Sequence, residues 1–150
     1  MKLSTLVTSG ILGASLIAGT ALTALPASAG VLACSGSACD GLDPQGNCSG
    51  DARTVDSLTL GQAILELRYS RACRATWARI SNAPWVVNDT FASFARVVRN
   101  SDGRTYSCTV PRDGTSCYTR MVNDANVTSY AYGEWDSGAR VYSGRTGSYL

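Results

Sequence analysis

The 150-residue sequence has no histidine, and its single lysine is Lys2. Without an imidazole, Ser-His-Asp and Cys-His nucleophile systems are excluded, and so are histidine-based zinc hydrolases. No C-x-x-C pair occurs either, so the usual ligand spacings of a zinc site are missing, and no metal or organic cofactor is expected. Basic excess is also lacking. Beyond Lys2, 12 arginines face 11 carboxylates, a balance that shows no pull toward nucleic acid or an anionic membrane. Past residue 25 there is no apolar run long enough to span a bilayer.

What is present begins with an address. Lys2 is followed by an apolar, small-residue stretch from Leu3 to Leu25, then Pro26 and the small-x-small site Ala27-Ser28-Ala29. This reads as a secretory signal peptide cleaved after Ala29, which makes the protein extracellular. A lipobox-like Val31-Leu32-Ala33-Cys34 offers a minor alternative, with Cys34 lipidated. The expected organisation is a leader at 1–29, a Cys- and Gly-rich segment at 30–57 and a β domain at 58–150, with 30–150 folding as one unit.

All six cysteines, Cys34, Cys39, Cys48, Cys73, Cys108 and Cys117, lie past the leader. An even number outside the cytoplasm implies three disulfides. Residues 30–50 have no hydrophobic period and need covalent ties to hold them. Asp40, Asp43 and Asn47 in this segment do not match a calcium-loop spacing and read as turn residues.

Alternation starts at Ala63. Leu65, Leu67 and Tyr69 fall on one side, and Ile64, Glu66 and Arg68 on the other, as in a strand with one buried face. Leu58-Thr59-Leu60 is its hairpin partner across Gly61-Gln62. Trp77 to Ile80 reads as a strand, although Cys73, Trp77 and Ile80 also fit one helical face. Asp89 to Arg99 fits a helix capped by Asp89 or a strand. The turn Asn100-Ser101-Asp102-Gly103 favours a strand from Ser93 onward. Pro111-Arg112-Asp113-Gly114 marks another turn, and a hairpin pairing Val110 with Thr115 would set Cys108 opposite Cys117, the favoured disulfide. Val127 to Asp136 and Arg140 to Tyr142 supply two further strands, and the Gly- and Ser-rich tail from Ser143 is expected to fray. About seven or eight short strands predict a mainly β domain, a small antiparallel sandwich or barrel.

Three stretches, C-D-G-L-D-P from Cys39, C-S-G-D-A-R-T-V from Cys48 and E-L-R-Y-S-R-A-C-R-A-T-W-A-R from Glu66, together resemble the YjfA-like family of small secreted bacterial proteins, a domain of unknown function. The Ala- and Arg-rich bias looks like an actinobacterial member. The resemblance covers Cys34 to about Arg79 well and the later strands loosely. It implies export and a disulfide-bonded domain, and it brings no catalytic residues. Cys73 would join one of Cys34, Cys39 or Cys48.

No catalytic residue is assigned. Glu66, Glu134 and Asp136 are the carboxylates weighed for a hydrolase, with Gly133 suggesting a loop just before two of them. The preferred class is a non-catalytic extracellular or cell-wall-associated binding module, its partner a cell-wall glycan or an extracellular protein. Tyr130, Tyr132 and Glu134 share one strand face and Trp135 takes the other, which makes a candidate stacking platform. The competing assignment puts Tyr130 and Tyr132 in the core. A secreted protease inhibitor acting through the 108–117 loop is the main alternative, and a carboxylate hydrolase the lesser one.

Overall fold

A computed structural model describes residues 34–86 and 90–150. The leader, its cleavage site and the Asp89 cap lie outside the described residues. Among the described residues nine strands run in chain order: β1 Arg53–Leu60, β2 Ala63–Ser70, β3 Ala75–Ser81, β4 Phe94–Arg99, β5 Thr105–Thr109, β6 Cys117–Tyr118, β7 Val122–Asn123, β8 Ser129–Asp136 and β9 Val141–Arg145. They form two antiparallel sheets, one ordered β1-β2-β3-β6 with β7 also on β3, the other β5-β4-β8-β9. The fold is a sandwich, with no closed barrel.

The core follows from period-two alternation. Leu65 and Leu67 on β2 and Ala78 and Ile80 on β3 point inward and are fully buried. Ala95 and Val97 on β4 and Ala131 on β8 meet them from the other sheet. The β1–β2 hairpin turns tightly at Gly61, whose φ of +65° favours glycine, and a Cβ there would sit 2.6 Å from the Trp135 ring. β1 runs back to Arg53, beyond the Leu58–Leu60 piece that alternation marks.

The strand β3 is unlike the others, because Ala75, Thr76, Trp77 and Ala78 are all buried in succession. Thr76, Ala78 and Ile80 face the opposing sheet, while Ala75 and Trp77 face outward and are covered by residues 34–52. That covering segment makes a second core with Cys34, Cys39, Cys48, Cys73 and Met121. Two 3₁₀ turns, Gly36–Cys39 and Ser49–Asp51, shape it. The disulfides Cys34–Cys39 and Cys48–Cys73 fasten it. Backbone bonds from Gly36 N to Cys73 O (2.8 Å) and between Leu42 and Met121 (3.0 Å) seat it on the sheet. Asp51 accepts Ser70 Oγ at 2.5 Å and Ala72 N at 2.8 Å. Asp40 receives Arg99 Nη1 at 2.9 Å and lies 3.3 Å from Arg104. Asp43 closes a turn with Gln45 N at 2.8 Å.

Three expectations need correction. Cys108 and Cys117 are joined, but not across a hairpin: β5 belongs to one sheet and β6 to the other, so the bond staples sheet to sheet. Val110 N donates to Ser93 O and Thr115 O accepts from Ala83 N, both at 2.8 Å, so neither residue is free to pair with the other. Gly133 lies within β8, not a loop; a Cβ there would stand 2.9 Å from Leu65 Cδ1, and its missing side chain makes room for the facing sheet. The tail is docked, with Ser143 to Arg145 in β9 and Tyr149 bridging to Ser129. Thr146 N also donates to Ala131 O at 2.9 Å.

Candidate binding site

The alternation of β8 puts Ser129, Ala131, Gly133 and Trp135 inward and Tyr130, Tyr132, Glu134 and Asp136 outward. Small residues take the inner positions because Leu65 and its neighbours already fill the space between the sheets. The two tyrosines are therefore not core residues. Trp135 is: it is buried at 6% exposure, donates Nε1 to Pro84 O at 3.2 Å and stacks on Tyr142 at 5.7 Å. It cannot serve a platform on the outer face.

On that face, Phe94 and Tyr132 lie 6.0 Å apart, and the Tyr132 hydroxyl donates to Glu134 Oε1. The bond to Glu134 pushes the Tyr132 hydroxyl above its usual range, with burial adding to the effect. Arg145 lies over the Tyr130 ring at 5.2 Å and Arg96 over Phe94 at 5.6 Å. Guanidinium groups thus occupy ring faces that a sugar would need. Glu134 is engaged by Tyr132, and Asp136 accepts Gly138 N at 2.8 Å in the following turn.

A recess lies on the other sheet. Where residues 34–52 stop covering β3, a groove of about 410 Å³ opens. Trp77 forms part of its lining with Arg68 and Arg79, the covering segment supplies Gln45, Ser49 and Ala52, and Ser116 and Tyr118 line it from the β6 side. This volume falls in the range of roughly 300–1,000 Å³ that small-ligand sites occupy. Register explains the gathering. Arg68 opposes Trp77 across β2–β3, and Arg79 opposes Tyr118 across β3–β6, so all four share the outer face.

The charges there do not cancel. Glu66 beside the groove lies 3.8 Å from Arg68 and 3.5 Å from Arg79. Arg68 also donates to Thr54 Oγ1 at 2.7 Å and to Ala52 O at 3.3 Å, which fixes it as structure. Arg79 Nε lies 3.5 Å from Glu66 Oε2, and the Arg79 side chain is 47% exposed. Two guanidiniums therefore share one carboxylate, and no hydrogen bond from Arg79 to another side chain is made among the described residues. Tyr118, at 39% exposure, stands next to it.

Sequence reasoning missed this site apart from Glu66 and Arg68, which it placed together on the polar face of β2. The signal for Arg79 was its parity with Glu66 across the hairpin. No periodicity could bring in Gln45 and Ser49 from the covering segment or Tyr118 from β6. Of the carboxylates weighed for a hydrolase, Glu66 lies between two arginines, while Glu134 and Asp136 share the outer face of β8 on the other sheet.

Residues 37–132 match a family profile described as a protein of unknown function (DUF2690). That span includes every residue lining the groove and ends before Glu134 and Arg145. The chain is 33% identical over 129 residues to the uncharacterized protein YjfA of Bacillus subtilis (strain 168), covering 73% of this chain and 79% of that relative. No solved structure matches it. The chain belongs to the YjfA-like DUF2690 family.

Proposed function

We propose that the protein is an exported, non-catalytic binding module of an actinobacterial cell surface, and that its ligand site is the groove over Trp77. The observation that carries this is Arg79: an exposed guanidinium, incompletely neutralised, at a concave site lined by an indole and a phenol. Such a site suits a carboxylate attached to a ring or a peptide, with charge-assisted hydrogen bonds at Arg79 and apolar contact on Tyr118 above the buried Trp77 floor. Cell-wall glycan, with its peptide carboxylates, has this chemistry.

Export rests on the 1–29 leader with cleavage after Ala29, and three disulfides agree with an oxidising compartment. The Cys34 sulfur is bonded to Cys39, an arrangement that a lipid thioether on Cys34 would prevent. The inhibitor reading fares less well. Residues 111–114 close a turn through Gly114 N to Pro111 O at 3.0 Å, and Arg112 lies over Trp85 at 5.0 Å. A protease cleft takes extended chain, not a closed turn.

Retention on purified peptidoglycan tests the proposal. The wild-type protein should be retained and released by free carboxylates. Arg79→Ala and Tyr118→Ala should each weaken retention at least tenfold, and Tyr132→Ala should not. Equal retention of Arg79→Ala, or no retention of the wild type, would overturn it.

A further inference from the structure

The four cysteines of the covering segment form one sulfur cluster. Their Sγ atoms all lie within 4.8 Å of one another, and every one of the four residues is buried. Cys34 Sγ and Cys48 Sγ, which belong to different disulfides, are 3.6 Å apart. Two separate crosslinks need no such convergence: Cys108–Cys117 does its work alone at the sheet edge. Four thiolates around zinc at Zn–S distances of about 2.3 Å have sulfurs about 3.8 Å apart. Across the two disulfides the Cys34–Cys48 spacing is already close to that value, and each bonded pair would open toward it once reduced.

We propose that, when its two disulfides are reduced, this cluster is a tetrathiolate site for one zinc-class divalent cation, and that the metal then holds the covering segment in place of the crosslinks. A dithiol or a phosphine supplies the electrons. Each disulfide accepts two electrons and two protons, so the pair becomes four thiols. The cation then displaces four protons to leave a centre of net charge −2. The pattern C-x₄-C-x₈-C-x₂₄-C is not a familiar zinc spacing, because the site is gathered from both ends of the covering segment and the β2–β3 turn. The oxidised protein has no thiolate to offer and binds no such ion.

The test is a cobalt(II) titration of the full chain, reduced with a phosphine under nitrogen, followed by zinc(II) displacement. One equivalent should produce thiolate-to-cobalt charge-transfer absorption and the visible bands of tetrahedral cobalt, and zinc should abolish both. Zinc should also raise the melting temperature of the reduced chain and keep Trp77 emission at its buried wavelength. Binding to a merely unfolded chain would leave both unchanged. Cys108→Ser/Cys117→Ser should titrate like the wild type, and Cys48→Ser should lose the four-sulfur spectrum. No saturation at one equivalent, an unaltered Cys48→Ser spectrum, equal binding by the oxidised protein, or binding without thermal stabilisation would each overturn the proposal.

Discussion

The two sheets solve the problem of an outer face in opposite ways. The β1-β2-β3-β6 sheet buries part of its outer face under residues 34–52, with two disulfides and a buried tryptophan. The β5-β4-β8-β9 sheet has no such cover among the described residues, and Arg96 and Arg145 are laid over Phe94 and Tyr130. A domain of this size has a modest core, and covering one face adds a second. The comparison shows where a concave site can arise: at the edge of a cover, where β3 passes from buried Trp77 to exposed Arg79. A bare sheet, however aromatic, has no such edge.

The largest expected effect comes from emptying the covered face. Trp77 is 4% exposed, so Trp77→Ala should cost about 3–5 kcal/mol in denaturant unfolding, the range for large-to-small core changes. A cost near that of an exposed aromatic would mean that the cover is not packed on β3. Next comes the crosslink. Cys48–Cys73 spans 25 residues, and loop-closure entropy puts its loss at about 3 to 4 kcal/mol. Cys34–Cys39 spans only 5, so its loss should cost about 2 kcal/mol. Melting temperatures of the two double-serine variants should keep that order; a reversal would show that the loop model fails for this cover.

How much of this could be read from the chain depends on whether the cause was local. Leu65 and Leu67 alternate with Glu66 and Arg68 within one strand, so β2 was legible, and so was its hairpin with Leu58–Leu60. Strand β8 showed two faces but not which was inside. Hydrophobicity favours tyrosine over serine and glycine for the core, yet Ser129, Ala131 and Gly133 take the inner face, and at Gly133 Leu65 of the other sheet leaves no room for a side chain. The covering segment was legible as a tied-down stretch through its cysteines. That it lies on Trp77, and so makes a groove, depends on contacts between residues about thirty apart in sequence, which no local period records. The Cys108–Cys117 pairing came from hairpin logic that the sheets do not follow.

A third prediction concerns the seam between the two regions. Asp124 is 4% exposed, accepts Ser129 Oγ at 2.8 Å on Oδ1 and has no partner on Oδ2 among the described residues. Burial pushes its carboxyl up to about 7, against an ordinary value of 3.8. The folded state thus holds a proton that the unfolded state releases near pH 4. The stabilisation is complete below pH 4, is lost as pH rises toward 7, and is absent above it. At about 1.4 kcal/mol for each pH unit, the loss is on the order of 2–4 kcal/mol. Asp124→Asn should flatten the pH dependence of stability between pH 4 and 7 and raise stability at pH 8. An unchanged slope in the variant would mean that the carboxyl is charged in the fold.

The smallest effect belongs to the bare face, and it sharpens the comparison most directly. Arg145 over Tyr130 is a cation–π contact at a partly exposed site, worth about 0.5–1 kcal/mol. A double-mutant cycle of Arg145→Ala and Tyr130→Ala should return a coupling of that size, with neither single change approaching the cost of Trp77→Ala. The same cycle on Arg79 and Tyr118, next to each other at the groove, should return almost nothing, because Arg79 is paired with Glu66 and is not stacked on the ring. Coupling in the first pair and none in the second would separate arginines that cover aromatic surface from one left free for a ligand. A strong coupling in the second pair would show that Tyr118 already occupies Arg79, and the groove would lose the group that gives it a preference for carboxylates.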